Sequence, residues 1–372
     1  MSLNKRLLVN ELDSNINWAY IGLDLAKHDT SLVGITEDGE IHRIDRIDYE
    51  TLLDKCSQMA PVVFAMEPCN GMNWLVNQIK SYGHECRVIS GVAVQNYVAT
   101  YFSGQKNDLN DAEALAFLAR ENRLQSIREK SPQEMELQSL MTIRELYVKQ
   151  FCALLVSMKG IAQNWGVRLG KHLSDEQRMV EIIENSNQIP PEIVASLKEM
   201  IALYKAVQKK ANSLTKQITS RAKSDDFCKK IMDIPGIGPM IASRLKVTVG
   251  DIKRFSSPRK LAAYYGVVPK NFTTGHVQKM GRITKRGDRL LRTYLVQGSA
   301  VLLMLEKRGK LQKCALQKWI SKKRGQLTYG KMIIALAAKL LRIVWAVLYK
   351  DEKFSLKKAG VARCSLPNVQ NS

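Results

Sequence analysis

Between residues 17 and 66, apolar and polar positions alternate in short runs. "INWAYIGLDLAK", "TSLVGIT" and "EIHRIDRID" are rich in β-branched residues, and the last two are parted by the turn "EDGE" at 37–40. A period of two predicts strands here. The pattern then predicts a helix over about 49–59, a short buried strand at "PVVFAME" (61–67) and a helix near 72–81. A strand at "ECRVIS" (85–90) and a helix opened by Asp108 follow. Three hairpin-like strands followed by alternating strands and helices predict a mixed α/β layer domain over 1–125.

From 126 to 224 the period lengthens. "MELQSLMTIRELYVKQFCALLVSMKGIAQNWGV" and "EIVASLKEMIALYKAVQKKANSLTKQITSRAK" read as long helices, separated by "NSNQIPPE", whose prolines cannot continue a helix. They predict an antiparallel, coiled-coil helical linker that spaces two domains or mediates oligomerisation. Residues 225–350 predict a mainly α domain, basic and rich in glycine, and 351–372 a disordered tail.

Charge changes the picture. The chain of 372 residues carries a formal net charge of +22. It is distributed as −6 over 1–125, −1 over 126–200 and +29 over 201–372. Positive charge confined to one half points to a polyanion, most simply nucleic acid. The first fifteen residues hold no signal-peptide core, and the apolar run "KMIIALAAKLLRIVWAVLYK" (331–350) is interrupted by Lys339 and Arg342. It reads as a core helix of a cytoplasmic protein with no membrane partner. Seven cysteines without a CxxC pair suggest neither a zinc knuckle nor a disulfide framework.

Against this basic chain, "GQKNDLNDAEALAFLAR" (104–120) gathers Asp108 and Asp111 on one helical face. Two readings stand: capping acids suited to a helix start, or half of a metal site. Asp24 sits within the first predicted strand and Glu67 at the end of the strand that begins at Pro61. An Asp in a buried strand must be paired, solvated or metal-bound. Four carboxylates brought together by a layered sheet would suit Mg²⁺, with Mn²⁺ as its substitute. Two such ions clamp the oxygens of a phosphodiester. This placement of acids resembles the RNase H and RuvC nuclease fold.

In the basic half, "DIPGIGPMIASRL" (233–245) reads as a helix-hairpin-helix turn, with Gly236 and Gly238 exposing helix-start amides to phosphate. Lys229, Lys230, Arg244 and Lys246 flank it. Downstream, "LAAYYGVVPKNFTTGHVQKMGRITKRGDRLLRTYLVQ" (261–297) carries Lys279, Arg282, Lys285, Arg286 and Arg289 as candidate nucleic-acid contacts. His276 and three glycines lie among them. Thr273 and Thr274 place hydroxyls beside this basic stretch, where they serve either as phosphate ligands or as a covalent nucleophile.

In this order, "GLDLAK", "AMEPCNG", "KNDLNDAEALA", "IPGIGPMIA", "LAAYYGVVP", "TTGHVQKMGRITKRGDRLLR" and "KMIIALAAKLLRIVWAVL" resemble the DEDD transposases of insertion-sequence family 110, subgroup 1111. The likeness runs from about residue 17 to 350. It implies a RuvC-like domain, a coiled-coil linker and a transposase domain that supplies a serine nucleophile. It also implies DNA recombination directed by a structured non-coding guide RNA, in a homo-oligomer from dimer to tetramer with composite active sites. The acidic tetrad falls on Asp24, Glu67, Asp108 and Asp111. Where the family reads Ser-Gly, this chain has Thr274-Gly275: the hydroxyl is kept, but the β-methyl stiffens χ1 and crowds in-line attack. The expectation is a nucleoid-associated, metal-dependent transposase. A RuvC-like junction nuclease, a DNA invertase and a non-catalytic nucleic-acid-binding protein are the rival readings.

Overall fold

The computed structural model describes residues 6–105, 107–121, 127–170, 176–274, 277–311 and 313–355; side chains of 176, 273, 274 and 277–279 lie outside that description. The chain divides into two compact units, Met1–Met135 and Glu136–Ser372.

In the first unit, β1 (Arg6–Leu8), β2 (Trp18–Leu25), β3 (Asp29–Thr36) and β4 (Ile41–Asp48) precede α1 (Tyr49–Gln58). Then come β5 (Val63–Met66), α2 (Met72–Ser81), β6 (Glu85–Val88), α3 (Gly91–Tyr101) and α4 (Asp108–Arg120). The six strands form one sheet in the order β1-β4-β3-β2-β5-β6. The β2–β3 and β3–β4 pairs are antiparallel, and β2–β5, β5–β6 and β1–β4 are parallel. Strand alternation sorts the side chains between two helical layers. Ile21, Leu23, Phe64 and Met66 pack with Leu52 of α1 and Leu75, Val76 and Ile79 of α2. On the other face, Ala65 packs with Val94 and Val98 of α3 and with Ala114, Leu115 and Ala119 of α4. Val33 and Ile41 meet Ala112 there as well.

Two elements escape the period-based reading. β1 is three residues long, too short for alternation to register. α3, "GVAVQNYVATY", is crowded with β-branched residues and has no side-chain cap bond.

In the second unit, α5 (Pro132–Asn164), which leads in from the first, is followed by α6 (Glu176–Glu184) and α7 (Pro191–Ser224). Side-chain contacts make α5 and α7 antiparallel. Arg221 donates to Glu136 at 2.6 Å and Arg144 Nε to Thr215 Oγ1 at 3.1 Å. At the far end, Met158 and Ala162 share a cluster with Leu197, Ile201 and Tyr204, closed by Met179 and Ile183 of α6.

Beyond these come α8 (Asp226–Met232), α9 (Pro239–Val249), a 3₁₀ turn at Ile252–Arg254 and α10 (Pro258–Tyr264). A hairpin of β7 (Pro269–Thr274) and β8 (Val277–Ile283) precedes α11 (Arg289–Lys307), α12 (Ala315–Arg324) and α13 (Tyr329–Tyr349). The hairpin departs from the mainly α reading of this region, because glycines and polar residues hide its alternation. α13 is the one described helix long and apolar enough to cross a membrane. It is instead the spine of this unit's core: Leu336, Ala337, Leu340, Leu341 and Val344 are fully buried among residues of α8 to α12.

Candidate active site

The sheet sets two acids side by side. β2 and β5 run parallel, about 4.8 Å apart, with Leu23 paired to Met66, so Asp24, next to last in β2, and Glu67, just past the end of β5, are the next residues along. Both share the face covered by α3 and α4, since Asp24 follows Gly22 and Glu67 follows Ala65 by two. Gly22 is the closest point of that packing. A Cβ there would stand 2.0 Å from the Ala112 carbonyl oxygen and 2.5 Å from the Ala116 amide nitrogen, so α4 lies directly on the strand that carries Asp24. Glu67 in turn reaches the first residue of α3: a Cβ on Gly91 would meet its Oε2 at 2.8 Å. A carboxylate at a helix start is electrostatically favoured. Cys69 stands close to both acids. Burial pushes its thiol up, and the charges of Asp24 and Glu67 push the same way, against a hydrogen bond from the Met72 amide.

Asp108 and Asp111 occupy the first turn of α4, the former exposed and the latter buried. The capping reading of Asp108 is corrected. Asn107 is the cap, its side chain accepting from the Asn110 amide at 2.7 Å. The anchor of this helix is a residue that sequence reasoning passed over. Glu113 is 1% exposed. It accepts from Arg6 Nη2 at 2.8 Å and Nε at 3.2 Å, and from Arg43 Nη2 at 2.5 Å and Nε at 2.9 Å. Arg43 also donates to Asn110 Oδ1 at 3.1 Å. The pair members lie 70 and 107 residues apart in sequence, so no local pattern reveals them.

Among the described residues, no three His, Cys, Asp or Glu side chains stand close enough together to hold a metal ion. The expected convergence of four acids on one ion is therefore not seen among the described residues: Asp24 and Glu67 lie on neighbouring strand ends, and Asp108 and Asp111 lie in the first turn of the helix covering that face. In chemistry the donors fit a hard divalent ion, being carboxylate oxygens throughout.

In the second unit, the turn between α8 and α9 is held by close packing. Gly236 has φ +87°, and a Cβ on it would meet Leu302 Cδ1 at 2.5 Å; a Cβ on Gly298 would meet the Gly236 oxygen at 2.5 Å. Gly236 thus seats the turn on α11, while Gly238 is exposed at the uncapped start of α9. The charges flanking this turn are compensated, contrary to expectation. Lys229 pairs with Asp226, Lys230 with Asp351, Lys246 with Asp225, and the buried Arg244 with Asp288 at 2.5 Å.

Positive charge stays open further on. Arg282, Lys285, Arg286 and Arg289 are exposed, and none has an acidic partner among the described residues. Hydrogen bonds seat the segment between β8 and α11, which carries Lys285 and Arg286. Thr284 N donates to Val268 O at 2.9 Å, Lys285 N to Gly266 O at 3.1 Å, and Arg292 Nη1 to Gly287 O at 2.9 Å. Gly266, at φ +66°, leaves room for this approach, since a Cβ would stand 2.2 Å from Arg286 N. Thr274 ends β7, paired with Val277, and Lys279 lies on β8; their side chains, like Gly275 and His276, lie outside the described residues.

Asp288 closes the loop, accepting from the Leu291 amide at 2.6 Å as the cap of α11 and from Arg244 Nε at 3.0 Å. Burial alone would raise its carboxyl, but the Arg244 and Leu291 hydrogen bonds outweigh that and hold it low. Asp288→Asn keeps a capping side chain and removes the charge, so a loss of about 1–3 kcal/mol is expected. A carboxyl lowered in the folded state stabilises above the unfolded value and loses that effect as pH falls. The gap between wild type and variant in urea unfolding should be equal at pH 7 and 5 and narrow below about pH 4.

Two family descriptions match the chain. The DEDD-type IS110 description, a transposase, covers residues 21–163, and the "Transposase IS116/IS110/IS902 family" covers residues 228–313. The chain is 28% identical over 348 residues to the transposase for insertion sequence element IS1111A of Coxiella burnetii, covering 90% of each chain. It is 27% identical over 345 residues to a probable family 20 transposase of Pseudomonas aeruginosa, covering 90% of this chain and 98% of that one. A pilin gene-inverting protein of Moraxella bovis is 23% identical over 277 residues, 74% of this chain and 76% of the other.

Proposed function

The chain belongs to the IS110 family of DEDD transposases and is a DNA recombinase, and on that premise we propose that it cuts and rejoins insertion-sequence ends through Thr274 with Mg²⁺ at Asp24, Glu67, Asp108 and Asp111. Family membership implies dependence on a divalent metal in general; Mg²⁺, with Mn²⁺ as its substitute, is the choice that an all-carboxylate donor set favours. The observation that carries the reading is the placement of Asp24 and Glu67 at matching ends of two adjacent parallel strands, under the helix bearing the other two acids. When bound, such an ion supplies Lewis acidity to the scissile phosphodiester.

The chain's own residues do the rest. The Thr274 hydroxyl attacks phosphorus and gives up its proton; the Oγ1–P bond forms as the bond to the leaving 3′ oxygen breaks, and that oxygen is protonated. A second strand's 3′ hydroxyl reverses the step and frees the threonine. Arg282, Lys285, Arg286 and Arg289, with Lys279 and the amides at Gly236 and Gly238, neutralise and position backbone phosphates. A guide RNA sharing the basic half and a homo-oligomer of two to four subunits belong to the same proposal, as does a place in the cytoplasm on the nucleoid. The Moraxella relative supports a second outcome of the same chemistry, inversion of the segment between two ends.

The test uses the full chain, DNA carrying element ends, and Mg²⁺ or chelator. Expected are rejoined strands and a metal-dependent protein–DNA adduct mapped to Thr274 by mass spectrometry. Thr274→Ser, by removing the methyl that crowds attack, should speed adduct formation several-fold. Free hydrolysed ends with no adduct would replace this reading with a junction nuclease. Salt-sensitive binding with neither product would replace it with a non-catalytic binder.

A further inference from the structure

The hairpin Pro269–Ile283 exposes an aromatic ring that the fold does not use. Phe272 is 55% exposed and belongs to none of the buried clusters of the described residues. Its ring lies along the ribbon over Gly281, where a Cβ would stand 2.7 Å from Cε2. Gly281 thus gives the ring a flat bed. The same Cβ would be 3.6 Å from the Lys270 Cβ, so Lys270, Phe272 and Gly281 share one face, as strand alternation requires. Lys270 and Arg282 are exposed on the hairpin, and from Val267 to Gly287 the sequence contains no acidic residue.

The exposed Met280 pairs with Asn271 and so lies on the other face of the ribbon, which leaves Phe272 as a single exposed ring among charged residues that are all basic; a protein partner would want a broader apolar patch. The arrangement suits an unpaired nucleobase, whose π-face stacks on the ring while cations hold its phosphates. A base inside a duplex is already stacked on its neighbours and offers no free face. We propose that the Phe272 face of the hairpin is a stacking platform for an unpaired base of a single-stranded nucleic acid. The inference rests on the nucleic-acid-binding reading above and adds to it a site, and a preference for single strands.

The test measures binding of the full chain to a single-stranded DNA, a single-stranded RNA and a DNA duplex of matched sequence by fluorescence anisotropy. Phe272→Ala should weaken single-strand binding by about 5- to 150-fold, the range that one stacked base accounts for, and leave duplex binding within about twofold. Phe272→Trp should restore affinity, and its added emission should be quenched by the single strand; Phe272→Leu, as apolar but without a π-face, should not restore it. The DNA and RNA arms identify which strand supplies the base. Equal losses on duplex and single strand, or no loss on either single strand, would overturn the platform. So would a fall in oligomer mass by light scattering, which would make the ring a contact between copies. Wild-type binding to the duplex alone would sink the platform and leave the DNA reading standing; binding to none of the three would sink both.

Discussion

Asp24→Asn is expected to lower strand cutting and rejoining by about a thousandfold or more, the scale of losing a preorganised charge in phosphoryl transfer. Asparagine keeps the shape of the side chain and one oxygen but not the charge that draws a hard cation. The strand does not depend on that charge for its position: the Asp24 carbonyl accepts from Thr30 Oγ1 at 2.8 Å, and β2 is paired with β3 through Leu25 and with β5 as far as Leu23. Thermal unfolding and DNA affinity should therefore change little. Product gels read the rate, circular dichroism the fold and anisotropy the binding. The variant should also need more Mg²⁺ for whatever activity remains. Wild-type rates in Asp24→Asn would remove the carboxylate pair from the chemistry, and loss of folding would make Asp24 a structural residue.

Much of the sheet was legible because β2, β3 and β4 each span eight residues and bury alternate or near-continuous apolar positions. The adjacency of Asp24 and Glu67 followed from strand order, since a parallel neighbour puts both strand ends on one side. What stayed hidden was set by partners distant in sequence. Arg244 and Lys246 read as open positive charge because their acids, Asp288 and Asp225, stand 44 and 21 residues away. At the start of α4 the sequence leaves capping open as one of two roles for Asp108, because Asn107 and Asp108 are neighbours and both cap well; the cap is Asn107. The hairpin at Pro269–Ile283 was missed for another reason: with two strands and little to bury, it lacks the apolar alternation that marks a strand in a core.

The largest stability effect is expected at Glu113. Glu113→Ala removes a carboxylate that is 1% exposed and leaves the Arg43 guanidinium, whose side chain is only 20% exposed, without its counter-charge. Breaking such a pair from one side costs about 3–5 kcal/mol, because a desolvated cation remains. Arg6 is about half-exposed and can turn to solvent, so its share is small. Asn110 would keep one hydrogen bond to Arg43, but α4 would lose its charged tie to β4, two residues after Asp111. Recombination should fall with stability, since both acids ride on that helix. A double variant separates a charge effect from lost packing. Arg43→Met with Glu113→Leu replaces the pair by apolar side chains of similar reach and should be more stable than the sum of the two single losses. Urea unfolding of the four proteins measures the coupling. If the losses add, or if Glu113→Ala unfolds within about 0.5 kcal/mol of wild type, the pair is a surface contact in energy despite its burial.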